Sequence, residues 1–192
     1  MGNTVLLKHS NVVPGCSLQI QDLFDDAQFP HGTFQSLLTD ARGVSHLIPK
    51  TDGVSVTGSV ETGKAVAQQA LRHVKKVVLE LGGSDPFIIL DDAPILTASK
   101  HAVAARFLNT GQSCIAAKRF IVTKKNADAF TNDVLRHIAT LHVGDPLEKE
   151  TDIGPLVRDE QRTKLENQIT RSVRQGATIR CGGKRFRGEG FF

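Results

Sequence analysis

Short apolar runs alternate with longer stretches of helical periodicity through the first 81 residues of this 192-residue chain. Residues 4–8, 34–38, 53–58 and 75–81 read as strands. Residues 17–26, 44–48 and 59–71 between them place apolar side chains at three- and four-residue spacing, as in Leu18, Ile20, Leu23, Phe24 and Ala27. Strands separated by helices cannot be joined by hairpins. They pair in parallel, with the helices laid over the sheet. The expectation is an α/β fold with a Rossmann-like parallel sheet and flanking helices.

Leu81-Gly82-Gly83-Ser84 interrupts this rhythm, and two glycines free the backbone to change direction. A boundary there divides the chain into residues 1–81 and residues 82–192, the second being part of another α/β domain. In that part residues 86–90 and 118–123 read as strands, and residues 96–107, 126–141 and 158–175 as helices. Asn109-Thr110-Gly111-Gln112-Ser113 is a polar loop, and Gly144-Asp145-Pro146 with Asp152-Ile153-Gly154-Pro155 is a turn-rich connector. Gly176 stops the last helix, and residues 177–181 read as a final strand.

Composition narrows the function classes. The net charge of +4 is spread along the chain, apart from a tail cluster, Lys184-Arg185-Phe186-Arg187, that reads as a solvated face rather than a nucleic-acid surface. Cys16, Cys114 and Cys181 are too few for a disulfide framework and show no zinc spacing, and the seven histidines show no metal spacing either. An odd number of thiols fits a reducing, cytoplasmic setting. No apolar run reaches membrane-spanning length, and the start of the chain lacks the pattern of a secretory leader. Neither nucleic acid nor membrane is an expected partner.

Three segments carry chemistry. Gly58-Ser59-Val60-Glu61-Thr62-Gly63-Lys64-Ala65 lies where a strand hands over to a helix, and a helix N-terminus suits a phosphate. It matches most of a P-loop but has Ala65 where a hydroxyl should meet magnesium, so a phosphate site and a ligand-free tight turn both remain open. Cys114 follows the polar loop, where a thiol is accessible for nucleophilic chemistry; taken alone, a free cysteine is more often a small buried apolar residue, the reading given to Cys16 and Cys181. Glu80 ends the apolar strand Val77-Val78-Leu79-Glu80-Leu81. It is either a general base raised by apolar surroundings or a salt-bridged strand-end residue.

Taken in order, these segments resemble the aldehyde dehydrogenase superfamily. The matching stretches are Gly2-Asn3-Thr4-Val5-Leu6-Leu7-Lys8, Thr57-Gly58-Ser59 with Gly63, Leu79-Glu80-Leu81-Gly82-Gly83, Asn109 to Cys114, and the two turns of the connector. The wording Glu80-Leu81-Gly82-Gly83-Ser84-Asp85-Pro86-Phe87 and Ala116-Ala117-Lys118-Arg119-Phe120 is most similar to a bacterial succinate-semialdehyde dehydrogenase subgroup. The resemblance implies oxidation of a small aldehyde with NAD or NADP through a thiohemiacetal and a thioester on Cys114, with Glu80 as the base that activates water. It implies that Lys8 reaches the adenosine ribose, that Gly58, Ser59 and Gly63 receive the pyrophosphate, and that Leu81 also lines the cofactor site. Asn11 stands where NAD-preferring members carry a glutamate, so a 2′-phosphate is not repelled. Some semialdehyde members carry an arginine just before the loop's asparagine; that position is Leu108 here, with Arg106 nearby.

The resemblance also implies an internal fragment, less than half of a typical member. The upstream Pro-Trp-Asn segment is missing (the chain has no tryptophan), as are the later acidic loop and the arm that builds homo-oligomers. Loss of the asparagine donor costs about 10²–10³ in rate, so weak or no activity is expected of the chain alone. Two alternatives stand beside this reading. One is a P-loop-like phosphate-binding protein, and the other a non-catalytic remnant that associates with a full-length paralogue.

Overall fold

The computed structural model describes residues 2–186 and 189–192. The chain divides into two compact units, Met1–Gly82 and Gly83–Phe192. In the first, β1 (Val5–Leu7) leads to α1 (Pro14–Asp26), β2 (Phe34–Ser36), α2 (Ala41–Leu47), β3 (Gly53–Gly58), α3 (Val60–Arg72) and β4 (Lys76–Leu81). The strands form two separate parallel ladders, β1 with β2 and β3 with β4, instead of one four-stranded sheet. Which strands become neighbours depends on long-range packing, and periodicity along the chain carries no information about that.

Local chemistry explains the helices. Proline opens α1, where its missing N–H is no loss. The Ser36 hydroxyl donates to the Ser17 carbonyl at 2.6 Å, and the Ser36 amide donates to the Gln21 side chain at 2.8 Å, which fastens α1 to β2. Phe24 stacks on Phe34 at 4.8 Å between ring centroids. The Asp40 carboxylate caps α2 by accepting from the Arg42 and Gly43 amides at 3.0 Å each. On β3, Val54 and Val56 are half-buried while their neighbours are exposed, and α3 packs against both strands of that ladder.

The second unit holds β5 (Asp85–Ile89), α4 (Ile95–Phe107), β6 (Ala117–Val122), α5 (Ala127–Ala139) and α6 (Asp159–Arg174). β5 and β6 pair in parallel. Ile89, Ala102 and Phe130 form its buried centre, with Phe87, Phe120, Val122 and Val134 packed around them. The Ser99 hydroxyl donates to the buried Asp133 carboxylate, which also pairs with Arg136, so that charge is not left alone among apolar groups. The other face of the ladder is bare: Ile88 and Ile121 stand in register and are 60% and 49% exposed.

Gly176 ends α6 with φ +98°. Its amide donates to Val173 and that of Ala177 to Ser172, both at 3.0 Å, the paired closure that a left-handed residue allows. Residues 177–181 do not form the expected final strand. Among the described residues no strand pairs with them, and Ile179 is 48% exposed, so alternation alone does not hold them extended. In the basic tail, Arg185 forms a bidentate pair with Glu166 on α6, one contact being 2.7 Å; Arg187 lies outside the described residues.

Candidate active site

In the first unit the predicted cofactor residues lie at strand ends and helix starts. Thr57 pairs with Glu80 and Gly58 with Leu81, so the β3–β4 ladder presents the turn and the acid at one carboxyl edge. Open α/β sheets bind ligands at that edge. Ser59 is the N-cap of α3, and its hydroxyl accepts from the Thr62 amide at 3.1 Å. Gly63 is buried; a Cβ there would come within 2.5 Å of one Leu81 methyl and 2.9 Å of the other. The absent side chain therefore lets the first turn of α3 sit directly on the end of β4. At the end of β1, the Lys8 ammonium donates to the Asn11 side-chain oxygen at 2.7 Å. Glu80 is exposed, and among the described residues no ion pair involves it. Neither the apolar pocket nor the salt bridge read from its flanking residues is present.

In the second unit, α4 ends in a tight turn over Leu108–Gly111, in which Asn109, Thr110 and Gly111 have φ of 52°, 58° and 73°. Three consecutive left-handed residues are costly for side chains with a Cβ, above all a β-branched one. Arg106 braces them. Its guanidinium donates to the Gly111 carbonyl at 2.8 Å and to the Ala117 carbonyl at 3.1 Å, tying the loop to the start of β6. Burial pushes this guanidinium down from its ordinary value. These bonds occupy Arg106 as a structural clamp rather than leaving it free for a substrate carboxylate.

Cys114 follows at the second position of a turn closed by the Ala116 amide donating to the Ser113 carbonyl at 3.2 Å. The Lys118 ammonium donates to the carbonyls of Ser113, Cys114 and Ala116 at 3.2, 2.9 and 3.3 Å. On the other flank the Thr110 hydroxyl donates to Gly154 at 3.3 Å, and the Val157 amide donates to the Gln112 side chain at 3.0 Å. The connector thus supports the loop. Between them lies an open cleft of about 610 Å³ lined by Asn109, Thr110, Gln112, Asp152 and Pro155 among others.

All three cysteines are exposed. The reading of Cys16 and Cys181 as buried apolar residues fails, because Cys16 faces outward from α1 and Cys181 lies in the segment without a ladder. What separates Cys114 from the others is its place on a loop held by Arg106, Lys118 and the connector, whereas Cys16 lies on the surface of α1 and Cys181 in a segment without a ladder. Arg106 and Lys118, which hold that loop, escape sequence reasoning, because their partners are backbone carbonyls that no side-chain pattern reveals. Among the described residues no group of three or more His, Cys, Asp or Glu is placed to hold a metal, and no helix is long and apolar enough to cross a membrane.

The whole chain, residues 1–192, matches the Aldehyde dehydrogenase family. The chain belongs to that family. It is 46% identical over 191 residues to the Escherichia coli (strain K12) succinate semialdehyde dehydrogenase [NAD(P)+] Sad, a match that covers 98% of this chain and 41% of that protein. It is 44% identical to the succinate-semialdehyde dehydrogenase [NADP(+)] of Mycolicibacterium paratuberculosis, again over 41% of the relative. The crystal structure of the Streptococcus pyogenes succinic semialdehyde dehydrogenase in complex with NADP+ superposes with a TM-score of 0.96 at 34% identity, over 100% of this chain and 42% of that one. The chain therefore spans about 41% of the length of the curated relatives it matches. Family membership also replaces the P-loop alternative, in which Ala65 has no hydroxyl for magnesium.

Proposed function

We propose that this aldehyde dehydrogenase chain carries the cofactor-binding and nucleophilic parts of an enzyme that oxidises succinate semialdehyde with NAD or NADP. The observation that carries this reading is the exposed Cys114 on a loop braced from both sides. The Cys114 sulfur, as thiolate, bonds to the aldehyde carbon. The carbonyl electron pair moves to oxygen, where the Cys114 N–H donates to the charge. NAD(P), which Lys8, Ser59 and the start of α3 would hold, would supply the hydride acceptor needed for this adduct to become a thioester. Glu80 takes a proton from water, the water oxygen attacks the thioester carbonyl, and the carbon–sulfur bond breaks, releasing the acid and leaving the thiolate on Cys114.

The residues at the β3–β4 edge fit a dinucleotide. The capped start of α3 favours phosphate there and close packing of Gly63 on Leu81 sets the approach, while Lys8 at the end of β1 offers an ammonium to the ribose. Asn11 binds Lys8 through a neutral amide, so a 2′-phosphate meets no carboxylate there. NADP is accepted along with NAD. Exposed free thiols are in keeping with the reducing cytoplasm.

The test is chemical labelling read by mass spectrometry. Iodoacetamide is expected to modify all three thiols, and succinate semialdehyde to protect Cys114 while leaving Cys16 and Cys181 unchanged. Equal protection of all three, or of none, refutes the assignment. NADPH and NADH binding are expected to be comparable, and Asn11→Glu to weaken NADPH selectively; strict NADH binding untouched by that change counts against the cofactor reading.

A further inference from the structure

Resting on the nucleophilic role proposed for Cys114, we infer that Lys118 is a positioning residue that strengthens the oxyanion donor by polarising the peptide groups on both sides of the thiol. An ammonium has three N–H donors, and all three find carbonyls here: Ser113, Cys114 and Ala116 at 3.2, 2.9 and 3.3 Å. The Ser113 carbonyl belongs to the same peptide group as the Cys114 N–H. It accepts twice, from Lys118 and from the Ala116 amide at 3.2 Å. Electron density drawn toward that oxygen leaves the Cys114 N–H more positive and a better donor, the cooperative effect of linked hydrogen bonds. The Cys114 carbonyl shares its peptide with the Ile115 N–H, which is polarised in the same sense. The ammonium sits in direct hydrogen-bond contact with these oxygens, so its pull acts at the shortest range rather than across intervening solvent. Arginine keeps the charge but presents a flat fork that cannot meet three divergent oxygens equally well.

When the Cys114 thiol adds to an aldehyde, a sulfur–carbon bond forms, the carbonyl π pair passes to oxygen, and the thiol proton ends on that oxygen through solvent. Lys118 touches neither partner and acts only through the donor. Alkylation by iodoacetamide uses the same sulfur but builds no oxyanion, so it separates donor strength from loop shape.

The experiment uses the 192-residue chain with Cys16→Ser and Cys181→Ser, and succinate semialdehyde carrying carbon-13 at the aldehyde carbon, with the thiohemiacetal followed by NMR. Lys118→Met is expected to lower the adduct equilibrium constant about 5- to 10-fold and the alkylation rate by a clearly smaller factor, and Lys118→Arg to recover part of the adduct loss. An unchanged adduct constant in Lys118→Met overturns the inference. An equal fall in alkylation also overturns it, because Lys118 would then only shape the loop. Absence of any adduct when Lys118 is intact overturns the nucleophile reading, and this inference with it; an adduct insensitive to Lys118 refutes the lysine's role alone.

Discussion

Replacing Gly63 by alanine sets two calculable effects against each other. Gly63 lies inside α3, where alanine is favoured over glycine by about 0.5–1 kcal/mol. The added Cβ, however, would meet the Leu81 methyls at 2.5 and 2.9 Å and the branching carbon at 3.2 Å, well inside contact distance. Leu81 ends β4 and is half-buried, so it must change rotamer or push α3 away, and overpacking of this kind costs about 1–3 kcal/mol. The net expectation is a loss of about 0.5–2 kcal/mol. In a Leu81→Ala background the obstacle is gone, and Gly63→Ala should instead stabilise by about 0.5–1 kcal/mol. The sign reversal is the signature. The chain has neither tryptophan nor tyrosine, so urea unfolding is followed by far-UV circular dichroism, with hydrogen exchange of α3 and β4 as the local readout. Stabilisation by Gly63→Ala with Leu81 intact refutes the close-packing argument.

Ser59→Ala removes the cap of α3 and should cost about 1 kcal/mol in thermal unfolding, with weaker NADPH fluorescence enhancement; unchanged values in both would show that the cap is unimportant. Arg106→Met leaves the Gly111 and Ala117 carbonyls without their charged donor and should destabilise the second unit by about 2–4 kcal/mol, visible as faster hydrogen exchange over residues 108–114. The Arg185 guanidinium holds the Glu166 carboxyl below the usual carboxylate range, chiefly by hydrogen bonding. The pairing is complete above the ordinary glutamate value of about 4.3 and is lost as pH falls through the lower folded value. An NMR titration should show Arg185 released only at that acid end, and Glu166→Gln should abolish the dependence.

Much of this architecture was legible because its signals are local. β3 has the anticipated limits, 53–58, since alternating valines are bounded by glycines, and α3 differs by one residue because Ser59 is its cap rather than its first turn. The polar, glycine-containing loop before Cys114 was legible, but that setting alone favoured a small buried residue; the resemblance supplied the nucleophile's role, and the structure leaves the thiol exposed. What escaped depends on distant partners. The ladders separate into three pairs because neighbour choice is non-local. Residues 177–181 alternate like a strand but have no ladder to join. Glu80 has apolar neighbours in sequence yet is exposed, because Val78 and Leu79 beside it are themselves 56% and 42% exposed and enclose nothing. Arg106 bonds main-chain oxygens, which leave no trace in a pattern of side chains.

The left-handed run from Asn109 to Gly111 has a consequence for engineering. Thr110 holds φ 58° against its own branched side chain, at a cost of about 1–2 kcal/mol, and is retained there with its hydroxyl on the Gly154 carbonyl. A search for thermostable variants would readily select Thr110→Gly, which relaxes the backbone. The same change would cut the tether between two surface segments and let the thiol wander. Robustness and reactivity thus compete at one residue, four positions before the sulfur.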